Sequence, residues 1–236
     1  MSGPDAARRR RVAVSVIVPV LNEAAIIDRL LDSLAAADVE EVVVVDGGSP
    51  DGTVLRASAH PSGAIVAECE PGRAAQMNHG ARVASGDVLL FLHADTRLPV
   101  CAAAAVRAAV GAGARGGNFA IRFDGRGGFS ALLGAVYRVQ NAFGVFYGDS
   151  AIWIRREVFD DLGGYRPLPI MEDYDLARRL REGGRVRRLP SPVVTSARRW
   201  QRLGIVRTVA TWITIRHLFL LGVPADRLAA LYRDAR

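Results

Sequence analysis

The chain contains no lysine: all 31 of its Lys and Arg positions are arginine. With 24 acidic residues the net charge is +7. Arginine forks match phosphate geometry, so the bias either points to anionic ligands or reflects a high-GC genome that writes Arg in place of Lys. Cysteine is scarce as well. Cys69 and Cys101 have neither metal-site spacing nor the even framework of a disulfide scaffold, which fits a reducing cytoplasm. No apolar run reaches the length of an uninterrupted membrane span. Arg8 to Arg11 followed by Val12 to Leu21 mimics the start of an export signal. That run is β-branched, contains Pro19 and shows no clear small-residue cleavage site, so a buried first strand fits better. There is no internal repeat and no low-complexity linker. Half of the 236 residues are hydrophobic and 23% are charged, which excludes disorder for most of the chain and allows one large α/β domain.

What the sequence does contain is an alternation of strands and helices. Val12 to Pro19 reads as strand one, followed by a helix beginning at Asn22 with Ile26, Ile27, Leu30, Leu31 and Leu34 on one face. Glu41 to Asp46 is an apolar second strand, of the kind covered on both faces, and Gly47 to Thr53 is a turn-forming loop. A short strand at Ala64 to Ala67 and a helix ending near Ala84 come next. Asp87 to Leu92 is then a strand that runs into His93-Ala94-Asp95-Thr96. β-α-β-α order implies a largely parallel sheet, and such sheets bind ligands outside the carboxyl ends of their strands. Asp95 emerges at such an end. It either holds a cation or substrate there or caps the helix that Pro99 opens.

After Pro99 the periodicities predict a helix over Val100 to Val110, a strand over Gly116 to Phe123, a helix over Phe129 to Asn141 and a strand over Gly148 to Ile154. A further helix, from Glu172 to about Arg181, carries Glu172, Asp173 and Asp175 in its first turn. These acids either complement the helix dipole or do chemistry. Ile205 to Leu221 reads as a helix that either closes the active-site side of the domain by packing or lies on a membrane surface or partner.

Four motifs in order carry a resemblance: Val14 to Glu23, Val45-Asp46-Gly47-Gly48-Ser49-Pro50-Asp51-Gly52-Thr53, His93-Ala94-Asp95-Thr96 and Glu172-Asp173. Together they resemble glycosyltransferase family 2 over about residues 12 to 200. The resemblance implies an α/β GT-A fold, a nucleotide-sugar donor (usually a UDP-sugar) and an Mg²⁺ or Mn²⁺ ion. It divides the single domain into a nucleotide-binding half (12–98), an acceptor and catalytic half (99–200) and C-terminal helices (201–236). Asp46-Gly47-Gly48-Ser49, Gly72-Arg73-Ala74-Ala75-Gln76-Met77-Asn78 and Ser196-Ala197-Arg198-Arg199-Trp200 are similar to a short bacterial subgroup associated with arsenosugar biosynthesis or with radical-SAM enzymes.

The resemblance also implies roles. Asp46 would accept from the base, Pro19, Leu21 and Glu23 would line the base and ribose, and Arg73 and Asn78 would sit over the uridine or the phosphates. His93 and Ala94 would border the ribose, Asp95 would bind the metal, and Arg199 with Trp200 would close over the diphosphate. Asp173 would be the general base of an inverting transfer, with Glu172 supporting it or binding acceptor. The usual Asp-Asp-Gly-Ser is here Asp46-Gly47-Gly48-Ser49, and the first acid of Asp-x-Asp is His93, which either contacts ribose or ligates the metal. Ser196 replaces the Gln of the processive enzymes, so transfer of one sugar to a small-molecule or lipid acceptor is expected. No nucleic-acid partner is expected, and the location implied is the cytoplasm, with peripheral contact at the inner face of the membrane through the C-terminal helix if that helix does not simply pack. Two rivals remain: a non-catalytic nucleotide-binding or membrane-associated relative, and a nucleotidyltransferase, which would normally carry a lysine-containing, glycine-rich loop where this chain has Pro19 to Glu23.

Overall fold

In the computed structural model, residues 11–124, 128–196 and 205–234 are described. One sheet of eight strands runs β3 (Ile65–Glu68), β2 (Glu41–Asp46), β1 (Val14–Val20), β4 (Val88–Phe91), β7 (Ile152–Arg155), β6 (Gly116–Phe123), β8 (Val186–Thr195), β5 (Thr96–Arg97). β3, β2, β1 and β4 are parallel neighbours. β7 opposes β4 and β6, β8 runs parallel to β6, and β5 opposes β8. The sheet is therefore mostly parallel, as the alternation predicts.

Helices cover both faces, and strand periodicity decides which residues meet them. Val16, Val18 and Leu90 point into a core shared with Ile27, Leu31 and Leu34 of α1 (Ile27–Ala35) and with Val106 of α4 (Ala102–Gly111). Ile17, Leu89 and Phe91 point to the other side. There they meet Ala74 and Met77 of α3 (Arg73–Val83), Phe159 of α6 (Arg156–Asp161) and Leu176 and Leu180 of α7 (Glu172–Glu182). The remaining helices are α2 (Thr53–Ala59), α5 (Gly128–Ala142), α8 (Ile205–Leu220) and α9 (Ala225–Asp234). Ile215 of α8 and Leu228 of α9 are buried in the first core, with Trp212 and Phe219 packed against it, so α8 closes the domain by packing. No described helix is long and apolar enough to cross a membrane.

Several expectations are corrected. The first helix begins at Ile27, not Asn22. Asn22 is left-handed (φ +58°), and the backbone N–H groups of Asn22, Glu23 and Ala24 donate to Ser49 Oγ, Thr53 Oγ1 and Asp51 Oδ2, which holds this segment as a loop. Gly148 to Ser150 is a single 3-10 turn, and the strand starts only at Ile152. β8 went unread because Pro190 and Pro192 argue against a strand. Its register with β6 skips from Phe119↔Leu189 to Ala120↔Pro192, so Pro190 and Ser191 sit in a bulge that tolerates them.

Gly80 sets how closely α3 approaches the sheet. A Cβ there would lie 2.4 Å from Ile17 Cγ2 and 2.9 Å from Val45 Cγ2, both fully buried. Gly80→Ala is expected to destabilise the fold by about 1–3 kcal/mol through overpacking, despite the better helix propensity of Ala. Urea unfolding of the two proteins checks this, and equal midpoints would refute the close approach.

Candidate functional site

The carboxyl ends of β1, β2 and β4 open onto one edge of the sheet. Where β1 and β2 part, Gln76 of α3, 4% exposed, donates from Nε2 to the carbonyls of Val20 (2.7 Å) and Val45 (2.9 Å). Val20 O also accepts Gly47 N–H (3.1 Å), so Gln76 ties the ends of the two strands to the loop that follows β2. The following loop is built on Asp46. Its Oδ2 accepts the N–H of Gly48 and of Ser49, both at 2.7 Å, and its Oδ1 accepts the Ser49 hydroxyl. Asp51 repeats the device one turn later, accepting Thr53 N–H at 3.0 Å, and the Thr53 hydroxyl holds its carboxyl below the usual range.

Two residues expected to contact the ligand also make hydrogen bonds within the protein. Asp46 is fully buried and its carboxylate is turned into its own loop. Asn78 donates from Nδ2 to Tyr165 O (2.8 Å) and accepts Tyr165 N–H at Oδ1 (2.9 Å), so its amide braces the segment before α7. Pro19 is half-buried in β1, Glu23 is half-buried beyond it, and Leu21 stands 48% exposed at the rim.

β4 leaves the sheet through a tight turn in which Thr96 N–H donates to His93 O (3.0 Å). Ala94 packs into the core, Asp95 is exposed, and Thr96 is pinned by its hydroxyl to that of Thr195 (2.9 Å). Arg73, the first residue of α3, reaches across this turn. One of its terminal nitrogens contacts His93 Nε2, and its Nε lies 3.3 Å from Glu172 Oε1.

The acids of α7 divide by task. Asp175, 1% exposed, is clasped by Arg166 (3.1 Å) and Arg179 (2.8 Å), and Arg179 also donates to the carbonyls of Leu162 and Gly164. That carboxylate holds the segment before α7. Glu172 is 4% exposed, and burial together with neighbouring Asp173 pushes its carboxyl well above the usual range, an effect that Arg73 only partly offsets. Asp173 is oriented by two backbone donors, Gly148 N–H to Oδ2 and Tyr174 N–H to Oδ1, both 2.7 Å. A Cβ on Gly148 would lie 2.7 Å from His93 Nε2 and 3.1 Å from Asp173 Oδ2, so the missing side chain lets His93 and Asp173 converge there.

Sequence reasoning missed one residue of this group. Asp149 takes the Tyr137 hydroxyl at Oδ2, while its Oδ1 is buried with no hydrogen-bond partner among the described residues. Burial pushes its carboxyl up to about 7, Tyr137 opposes the shift, and Asp173 and Asp95 add to it. Its position in a Gly-Asp-Ser turn gave no signal, because both its burial and its unpaired oxygen arise from distant elements.

A cavity of about 570 Å³ joins these groups. It brings together Arg73, His93, Asp95, Glu172 and Asp173 with Asp149, Tyr137, Tyr147, Trp212 and Tyr232. Pro19, Leu21, Glu23, Asp46 and Asn78 do not line it. Arg199 and Trp200 fall outside the described residues. No three His, Cys, Asp or Glu side chains among the described residues form a set that would hold a metal by themselves.

Residues 15–125 match the model of glycosyl transferase family 2. Glucosyl-3-phosphoglycerate synthase of Mycobacterium tuberculosis is 35% identical over 103 residues, 39% of this chain and 31% of the relative. A PGL/p-HBAD biosynthesis glycosyltransferase of Mycobacterium bovis is 38% identical over 91 residues, 36% of each. The matches thus span about a third of these curated relatives. Among solved structures, a mannosyltransferase of Pyrobaculum calidifontis in complex with GDP-Man and Mn²⁺ superposes with a TM-score of 0.69 at 24% identity, covering 90% of this chain and 65% of that one. The M. tuberculosis synthase, in complex with Mn²⁺, UDP and glucosyl-3-phosphoglycerate, gives 0.55 at 23%, covering 90% and 81%. The fold is therefore GT-A.

The raised carboxyl of Asp149 has a consequence for stability. A carboxyl whose folded value lies above its unfolded value favours the fold when protonated; that contribution is complete below about pH 4 and is lost as pH rises through about 7. Asp149→Asn removes the penalty. The variant is expected to match the parent near pH 4 and to be more stable at pH 8, on the order of 1–3 kcal/mol. Thermal melts across that range check it; a constant difference between the proteins would show that Asp149 does not titrate against folding.

Proposed function

We propose that the protein is an inverting, metal-dependent glycosyltransferase that moves one hexosyl group from a nucleotide-sugar, a UDP-sugar, to an acceptor hydroxyl. The observation that carries this reading is the meeting, in one cavity, of Asp95 at the end of β4 with Asp173 at the head of α7 and Arg73 between them. The family 2 match to the donor half and the GT-A neighbours holding GDP-Man or UDP with Mn²⁺ support it.

The residues fit an Mg²⁺ or Mn²⁺ ion. Asp95 is exposed and lines the cavity, with its Oδ1 3.4 Å from the Thr96 hydroxyl, so hard oxygen ligands face the cavity. A hard cation commonly takes one or two carboxylates and completes its shell with substrate phosphates and water, which suits a site without a three-residue cluster. Asp95 would hold the ion, with His93 beside it, and the bound ion would neutralise charge on the leaving diphosphate.

The chain's own residues do the rest. Leu21 and Pro19 offer an apolar rim for the base. Arg73 is placed to pair with phosphate oxygens on exchanging His93 for donor. Asp173, fixed by the Gly148 and Tyr174 amides, is placed to take the acceptor's proton while diphosphate leaves from the opposite face of the sugar. Glu172 anchors Arg73. The role of Asp46 toward the base requires its carboxylate to rotate from the Gly48 and Ser49 amides or to act through an unused lone pair of Oδ1. Membership of the arsenosugar or radical-SAM-associated subgroup rests on the motif spellings, and closure by Arg199 and Trp200 on the resemblance.

Asp173→Asn keeps the shape of the side chain and can keep one of its two backbone bonds, since an amide has a single acceptor oxygen, and it removes basicity. Turnover is expected to fall roughly 10²–10⁴-fold with UDP affinity nearly unchanged, and the parent's product is expected to show inverted anomeric configuration. NMR of the product and steady-state kinetics check this. Retained configuration, or full turnover in the variant, would overturn the base assignment.

A further inference from the structure

A second hollow of about 680 Å³ lies between α5 and α8, and Val136, Gln140 and Val209 line both this space and the cavity of the acids. Its wall is carried by Val139, Phe143, Ile213 and Leu220, which are 59, 76, 40 and 50% exposed. Large apolar side chains concentrated on two adjacent helices mark a surface that gains by being covered. Two features say what covers it. The groove is continuous with the acceptor end of the site, and its length from Val209 to Leu220 is about 16 Å along α8, which suits a chain rather than a small ring.

The head of the site is equally selective. Asp149 Oδ1 is buried and unpaired, so it calls for a hydrogen-bond donor. Tyr147, Trp212 and Tyr232 make a continuous aromatic wall, with centroids 5.9 and 5.1 Å apart, suited to the face of a hydroxylated ring. Of the permanently charged cations among the described lining residues, Arg73 lies at the donor end and Arg216 lines the groove and acts on Tyr147, whereas Asp149, Asp173 and Asp226 surround the head. A negatively charged head would meet these carboxylates.

We propose that the acceptor is an uncharged amphiphile: a hydroxyl-bearing head held between Asp149, Asp173 and the aromatic wall, and a hydrocarbon tail lying in the groove between α5 and α8. This rests on the glycosyltransferase reading and assigns its acceptor class.

The test is titration of the protein, with UDP and Mn²⁺ present, with methyl β-glucoside and with n-octyl β-glucoside below its micellar concentration, read by tryptophan fluorescence. The octyl compound is expected to bind at least tenfold more tightly. Phe143→Asp combined with Ile213→Asp should abolish that preference and leave UDP affinity unchanged, whereas Phe143→Leu, which keeps the groove apolar, should retain it. Equal affinity for the two glucosides, no binding of the octyl compound, or a preference surviving in the double variant would overturn the proposal. So would binding of phosphatidylcholine vesicles through the groove without any preference between the glucosides, which would make the face a membrane contact. Loss of UDP binding in the parent with the octyl preference intact would instead overturn the transferase reading and leave the groove standing.

Discussion

The site depends on one cation in a ring of carboxylates. Asp95, Asp149, Glu172 and Asp173 line a single cavity, and Arg73 is the permanently charged side chain set against them among the described residues. Its guanidinium bridges His93, at the exit of β4, and Glu172, at the entry of α7. Two segments 79 positions apart in the chain are thereby held to one geometry. Breaking such a pair by removing one partner is costly, because the buried Glu172 would lose its compensating charge. Glycine makes the arrangement possible: Gly72 (φ +144°) turns the chain so that Arg73 opens α3 at the sheet edge, and Gly148 admits His93 and Asp173 against its backbone.

This arrangement explains why the carboxylates behave differently although all are near one another. Asp175 has two arginines and serves the fold. Glu172 has one, shared with His93, and is held toward its protonated form. Asp149 has only a phenol and is pushed up to about 7. Asp95 faces the open cavity. A donor carrying a diphosphate and a cation would add both an anion for Arg73 and a positive charge for the acids, so the site is electrostatically incomplete without them.

Much of the frame was legible from residue order. Glu41–Asp46 and Gly116–Phe123 fall at the predicted bounds, because a continuous valine run and a clean alternation each specify a strand with little competition. α7 begins at Glu172 as expected. What escaped depends on contacts between distant segments. Whether Asn22 opens a helix is decided by three side chains of the segment from Ser49 to Thr53, and β8 accommodates Pro190 because a bulge takes it out of the ladder. Asp173 and Asp175 look equivalent in sequence, and only the arginines beside one of them separate their tasks. Asp46 and Asn78, which the motifs place at the ligand, also form hydrogen bonds that build the walls around the site, and those depend on partners the motifs do not name.

The central claim is that Asp95 completes a donor site only together with a divalent ion and a nucleoside diphosphate. Calorimetric titration of UDP, with and without Mn²⁺, on the parent and on Asp95→Ala tests it most directly. The account predicts that Mn²⁺ tightens UDP binding to the parent by tenfold or more, about 1.4 kcal/mol, and has little effect on the variant. Equal UDP affinity in the parent with and without Mn²⁺ would contradict it.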